Sequence, residues 1–440
     1  MAESQTPARR ARLTIVRIRI HRGTKEIGGT CIEVEAVGER ILLDLGLPLA
    51  TDPGGVLLPD VAGLSKFDAS LLGLLVSHPH LDHYGLARGL PPELPIYMGS
   101  AAARILDVAS VFLPDAPVFT ATTPLEDRKP MSLGPFEITP FLVDHSAYDS
   151  YALLVKAGGR TIFYSGDLRA HVRKAKLFER LVRHPPRGVD VLLLEGTNVQ
   201  RQGQAKEAVT ESDLEDRMVE FLPAVAGPVL LIASGQNIDR LVTVYRACRR
   251  TGRILVVDAY TAAVLRATDR PTIPQAGWDQ LRVFVPQNQR VRIKKSGRFE
   301  FVDDLKGARI FDEQLSELAP QAVILLRGSL IKQLERSIDL QGTAAIFSLW
   351  GGYLGNPAYQ ESFGTLTTWL EQKGIPLTEL HTSGHASVAD LKRLAHAVAP
   401  RVVVPIHTFA PKAFHGLFAN VETKQDGVWW DVPGGERDDP

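Results

Sequence analysis

The segment His-Pro-His-Leu-Asp-His beginning at position 78 packs four metal-ligand side chains, His78, His80, Asp82 and His83, into six residues. Imidazole nitrogen suits zinc and other first-row ions, and an oxygen ligand can bridge two of them. Histidines at i and i+2 of an extended chain share a side and can reach one ion. Asp82 and His83 follow at a turn and can address a second ion. The competing reading is a polar strand end satisfied by water, and four ligand types in six positions argue against it.

The elements that must position these groups are short apolar strands. Leu71 to Val76 is a continuous apolar run, as expected for a strand buried on both faces, and it leads directly into Ser77 and His78. Three further candidates stand just past similar runs: His145 after Phe141 to Asp144, Asp167 after Ile162 to Gly166, and His407 after Val402 to Ile406. Any one alone reads equally well as a polar strand terminus. In a parallel α/β architecture, however, strand ends converge along one edge, where sites form. Together the three complete two coordination spheres. The expected cofactors are therefore two divalent metal ions, zinc first and manganese as the alternative.

The chain has 440 residues, room for two or three domains. Lysine plus arginine equal aspartate plus glutamate at 50 each, so a polyanion must be held by local clusters. Cys31 and Cys248, the two cysteines, form no disulfide framework and read as small core residues. The basic start (Arg9, Arg10, Arg12) leads into an alternating strand pattern from Leu13 to Ile20, unlike a secretory leader. No apolar run of about 18 residues occurs, so no membrane span is expected. The expected location is cytoplasmic.

Strand-rich sequence continues to about Gln200, with runs at 136–141, 151–155, 161–164 and 189–194. It then gives way to a helix (Glu211 to Phe221), a strand (Pro228 to Ala233), a helix (Asn237 to Arg250) and a strand (Ile254 to Val257), which is a βαβ pattern. Residues 260–312 read as irregular, with a basic stretch of Arg290, Arg292, Lys294, Lys295 and Arg298. Strands at 322–326 and 344–347 close this region. A helix over 359–373 follows, then His381 to Ser387, another helix, and a strand at 401–405. The expected division is 1–205 for the first part of one domain, 206–348 for an inserted domain and 349–440 for the closing part of the first.

These motifs resemble the metallo-β-lactamase superfamily. Leu43-Asp44-Leu45-Gly46 is similar to its first motif, His78 to His83 to its second, and His145 and Ser165-Gly166-Asp167 to its third and fourth. The resemblance implies an αββα sandwich in which His78, His80 and His145 hold one metal. Asp82, His83 and His407 would hold the other, with Asp167 between them and Asp44 orienting the cluster. Within the superfamily, Leu194-Glu195-Gly196-Thr197, His381 to Ala386 and Pro405-Ile406-His407-Thr408 resemble motifs A, B and C of the β-CASP nucleases. The inserted parallel α/β region falls where their β-CASP domain lies. Ala233 to Arg240 is similar to a signature early in that insertion. The nearest likeness is to RNase J-type enzymes, with two departures. Arg327-Gly328-Ser329-Leu330 stands where they carry Gly-Ser-Gln-Gly-Glu-Pro, and the likeness does not extend to their linker and C-terminal domain.

The resemblance implies a metal-dependent ribonuclease acting on single-stranded RNA. Two metals would activate a hydroxide to attack phosphorus, leaving 5′-phosphate and 3′-hydroxyl ends. The catalytic set is Asp82, with His385 as general acid held protonated by Glu195. The competing role for His385 is a helix N-terminal residue bonded to backbone. Ser383, Gly384, Ala386 and Ser387 precede a helix and suit a substrate phosphate. Ser234, Arg240 and Arg327, and the 290–298 cluster, are candidates for further phosphates. Arg169, Arg173 and Lys174 are placed near the metals. A small ester or thioester hydrolase and a DNA-directed nuclease are the alternatives, and a homodimer is left open.

Overall fold

The computed structural model describes residues 15–49, 51, 55–113, 116–199, 209–355 and 363–434. The arginines at positions 9, 10 and 12 and the start of the helix expected over 359–373 lie outside them. In the strand Val16–Arg22, Val16, Ile18 and Ile20 are buried while Arg17 and Arg19 are partly exposed, the alternation of a strand with one covered face. It belongs to a seven-stranded sheet ordered Trp429–Asp431, Val16–Arg22, Cys31–Ala36, Glu39–Leu43, Leu71–Leu75, Ile96–Gly99, Thr123–Leu125. A six-stranded sheet runs Val402–Ile406, Val191–Glu195, Arg160–Tyr164, Ser150–Ala157, Phe136–Val143, Met131–Leu133.

The two sheets share one core, in which Ile18, Val34 and Ile41 meet Ile138, Val155, Ile162, Val191 and Val404. Helices cover the outer faces. Phe178 and Leu181 of Ala175–Arg183 and Leu391 and Leu394 of Val388–Val398 pack on the second sheet. Tyr84 and Leu106 pack on the first. The expected αββα sandwich is the observed one.

A third sheet is entirely parallel, ordered Arg309–Ile310, Leu281–Phe284, Ile254–Asp258, Ala322–Leu325, Val229–Ile232, Ala344–Phe347, Leu377–Glu379. Both of its faces are buried, which is why its strands read as continuous apolar runs. Two expectations need correction. The stretch 260–312 is ordered, holding the helices Ala259–Ala267 and Gln287–Ser296 as well as the strands Leu281–Phe284 and Arg309–Ile310. The inserted domain also ends later than residue 348. Leu377–Glu379 pairs with Ala344–Phe347, and Leu366, Trp369 and Leu370 of the helix Thr365–Gln372 join the core of the third sheet. A three-residue strand with two exposed positions carries no apolar pattern to reveal it. No described helix is long and apolar enough to cross a membrane.

The C-terminal ends of Glu39–Leu43, Leu71–Leu75, Phe136–Val143, Arg160–Tyr164, Val191–Glu195 and Val402–Ile406 share one edge of the sandwich. The inserted sheet turns the corresponding edge of its own strands toward it. A buried chain of charges crosses between them. Arg169, fully buried, donates from Nε to Asp144 Oδ1 at 3.1 Å and from Nη2 to Asp239 Oδ2 at 2.5 Å. Asp144 precedes His145, and Asp239 lies in the first turn of the inserted helix Ile238–Thr251. Lys174 Nζ stands 3.5 Å from both carboxylates, and Arg173 bonds Glu215 and Thr243 of the insertion. These three cations, expected near the metals, stand close behind the ligand-bearing turns, and their donors are committed to joining the two bodies.

Removing one member of a buried ion pair typically costs about 3–5 kcal/mol. Arg169→Met is expected to cost stability of that order in chemical denaturation, because Asp144 and Asp239 lose their shared partner. A cost below about 1 kcal/mol would show that this chain of charges does not hold the bodies together.

Candidate metal centre

All seven expected ligands arrive at the shared edge, in two groups. Ligand atoms of His78, His80 and His145 lie within 4.8 Å of one another, as do those of Asp82, His83, Asp167 and His407. Asp167 links the groups. Its Oδ2 is 3.1 Å from His83 Nε2, 3.7 Å from His78 Nε2, 3.7 Å from His407 Nε2 and 3.9 Å from His145 Nε2.

The far side of three of the rings shows how they are aimed. His83 Nδ1 meets Asp44 Oδ2 at 2.7 Å, His78 Nδ1 meets Ser77 Oγ at 2.9 Å, and His407 Nδ1 meets Thr30 Oγ1 at 3.0 Å. With Nδ1 occupied, Nε2 faces the centre, which is how ligating histidines are held. At that centre His78 Nε2, His407 Nε2 and Asp167 Oδ1 are buried without a hydrogen-bond partner among the described residues. Buried polar atoms are rarely left so. This donor set of imidazole nitrogens and carboxylate oxygens fits divalent cations.

Burial pushes His78 and His145 well below the ordinary imidazole value, aided by neighbouring imidazoles, and His80 down to about 4. A lowered pKa favours the neutral form that a metal-ligating imidazole must have. Burial alone would raise the Asp167 carboxyl, but His407, His83 and His385 hold it well below the usual carboxylate range.

Asp44 organises the cluster without facing its centre. It is fully buried and accepts from Ser77 N at 2.6 Å, Ser77 Oγ at 2.7 Å and Tyr164 Oη at 2.5 Å, besides contacting His83. Its φ of 61° and the φ of 49° at His407 are left-handed values that few non-glycine residues adopt, a recurrent mark of functional sites. Gly46 permits a close approach here, since a Cβ would fall 1.7 Å from the Asp82 carbonyl oxygen.

His385 stands beside the metal groups. Its Nδ1 is 3.3 Å from Glu195 Oε2 and 3.8 Å from Asp167 Oδ2, and its side chain is 19% exposed. Burial disfavours the cation, but Glu195, Asp167 and Asp82 outweigh it and raise its pKa above the ordinary value. Glu195 is fully buried, its Oε2 accepting from Thr197 N at 3.1 Å.

The phosphate-contact candidates divide. Ser234 is exposed and Arg327 partly so, with Arg327 Nε on Asp258 Oδ2 at 2.5 Å, at the inserted edge. Arg240 is not available to substrate. It is fully buried, its Nε and Nη2 on Glu211 and its Nη1 on Ser348 O at 2.8 Å. Ser387 Oγ caps the helix Val388–Val398 by accepting from Asp390 N at 3.1 Å, and Ala386 is fully buried. Ser383 Oγ accepts from His385 N at 3.1 Å. Gly384 presses against Ser146, where a Cβ would come 2.5 Å from Oγ. These residues therefore shape the loop that carries His385. Asn198, which the sequence did not single out, fastens that loop through Nδ2 to Ser383 Oγ, His385 O and Ala386 O, each at 3.1 Å. Thr30, Ser77 and Tyr164 were likewise missed as partners of the ligands.

Residues 62–233 match the family described as "Beta-lactamase superfamily domain". Beyond it, the chain is 23% identical over 390 residues to a ribonuclease J of Sinorhizobium meliloti, covering 83% of this chain and 63% of that protein. It is 21% identical over 400 residues to a ribonuclease J of Helicobacter pylori, covering 88% and 55%. With the ribonuclease J of Mycobacterium tuberculosis the identity is 25% over 408 residues, covering 88% and 67%. The chain thus spans roughly three-fifths of the length of these relatives. A solved structure from Enterococcus faecalis V583, titled a protein of unknown function, superposes with a TM-score of 0.75 at 21% identity, covering 95% of this chain and all of that one.

Loss of a group that aims a ligand typically weakens metal binding about 10–100-fold. Asp44→Ala is expected to do so in a competition titration against a chromogenic chelator, while binding unchanged within about twofold would remove Asp44 from that role.

Proposed function

We propose that this chain is a metal-dependent ribonuclease that hydrolyses phosphodiester bonds in single-stranded RNA, leaving 5′-phosphate and 3′-hydroxyl ends. The observation that carries the reading is the His385–Glu195 pair, placed against both ligand groups. The ribonuclease J relatives support RNA as the substrate. His78, His80 and His145 would hold one divalent ion and Asp82, His83 and His407 the other, with Asp167 between them. Bound there, such a pair supplies Lewis acidity and an activated water.

The remaining work falls to side chains. The leaving 3′-oxygen needs a proton at neutral pH. With Nδ1 of His385 directed at Glu195, Nε2 is the atom that delivers it. Glu195, itself fixed by the backbone at Thr197, orients the ring and favours its charged form. Ser234, exposed at the end of an inserted strand, is the candidate contact to the strand, and Arg327 beside it is held by Asp258 and Thr261.

A 3′-labelled RNA with a 5′-monophosphate, beside a circular version, tests the reading in zinc or manganese. Both Asp82→Ala and His385→Ala are expected to abolish most turnover, with His385→Ala keeping its metal by elemental analysis. Absence of metal-dependent cleavage by the unaltered protein overturns the proposal, and cleavage of DNA or a small ester alone redirects it.

The acid must be protonated, so turnover is expected to fall as pH rises through the pKa of His385. Glu195 raises that pKa, so Glu195→Gln should shift the alkaline limb of the kcat profile to lower pH. An unmoved limb would remove the pair from proton transfer.

A further inference from the structure

The helix Gln287–Ser296 reads Gln-Asn-Gln-Arg-Val-Arg-Ile-Lys-Lys-Ser, with four cations and no acid, in a chain whose formal charge is zero. Gln289 and Ile293 are buried, while Gln287, Asn288, Val291, Lys294 and Lys295 are exposed on the opposite stripe. Arg292, Lys294 and Lys295 make no ion pair among the described residues, whereas Arg298 just beyond is bound to Asp107 at 3.0 Å. The helix macrodipole favours Lys294 and Lys295 in the last turn but gives no reason for Arg290 or Arg292.

The helix starts at the inserted edge that faces the metals. Gln289 Nε2 donates to Asp258 Oδ2 at 2.8 Å, the same oxygen that Arg327 holds, and Gln289 Oε1 accepts from Tyr260 N at 3.1 Å. From Gln289 the helix carries Lys294 and Lys295 about 7–9 Å further along its axis, at about 1.5 Å per residue. At the far end Phe299 is 54% exposed, a ring available to a base.

We infer that the exposed face of this helix is a ledge that holds the RNA strand several nucleotides from the cleaved bond. The inference rests on the ribonuclease reading and adds to it a preference for long over short RNA. Phosphates would follow Arg292, Lys294 and Lys295, and a base would stack on Phe299.

The test compares unstructured 5′-phosphorylated RNAs of roughly 5 and roughly 30 nucleotides, using Arg292→Glu/Lys294→Glu/Lys295→Glu and the neutral Arg292→Gln/Lys294→Gln/Lys295→Gln. Cleavage gives KM and kcat. Fluorescence anisotropy gives affinity in an Asp82→Ala background, where no cutting is needed. For the long RNA, charge reversal is expected to raise KM at least about tenfold and to lower the log–log salt slope by about 2. The glutamine variant should fall between, and the short RNA should change less than about twofold. Equal effects on both lengths, or none, overturn the ledge. If the unaltered protein cuts no RNA, anisotropy still decides: a length preference that the variants abolish supports the ledge, and its absence overturns it.

Discussion

One carboxylate oxygen of Asp167 lies within 3.9 Å of nitrogens from five imidazoles, those of His83, His78, His407, His385 and His145. Such a convergence is stable only if protons or cations divide the charge, and burial forces the choice by keeping most of the rings neutral. The surrounding architecture can be read as meeting that demand. Six strands end on one edge; five lead into a ligand or the group that aims one, and Val191–Glu195 ends on the carboxylate beside His385. Asp44, Thr30 and Ser77 hold Nδ1 atoms so that Nε2 atoms meet. The turns that carry Asp44 and the ligand His407 accept left-handed backbone at non-glycine positions to complete the arrangement.

The ligands were legible because they follow directly on apolar runs. A strand buried on both faces declares itself in five residues, and the polar residue after it is conspicuous. The groups that aim the ligands were not legible, because the contact is far longer than any local pattern. Thr30 reaches His407 across 377 positions and Tyr164 reaches Asp44 across 120. In sequence each is an ordinary polar residue in or beside a strand. Arg240 failed in the opposite direction. Its motif setting suggested a phosphate, but Glu211, a residue with no distinguishing context, folds against it and consumes its donors. A cation in sequence is a candidate for any anion, and only the fold decides which one reaches it first.

The same distinction separates the basic groups of this neutral chain into two kinds. Arg169, Arg173, Lys174 and Arg240 are spent inside, three of them on acids that connect the sandwich to its insertion and one on Glu211 within the insertion. The pairing of the first three ties the inserted edge to the strand ends that carry the ligand cluster. Arg169 matters most here, since it lies two residues past Asp167 and bonds the neighbour of His145. A shift of the inserted domain would therefore be felt at two ligands. Cations on the exposed helix Gln287–Ser296 are cheap to solvate and free to exchange water for phosphate, which the buried set cannot do.

Electrical neutrality overall is no argument against a polyanionic substrate. With the buried cations cancelled by their partners, the remaining charges also sum to about zero, but they are not evenly spread over the surface. What governs attraction at a Debye length of about 8–10 Å is the local excess. On the inserted domain that excess begins at the edge facing the metals and is carried along one helix. The positive surface is therefore directional, running away from the centre that would do the chemistry. A substrate long enough to occupy both places would be held by the helix and positioned by the cleft, and these two tasks need not be met by the same residues.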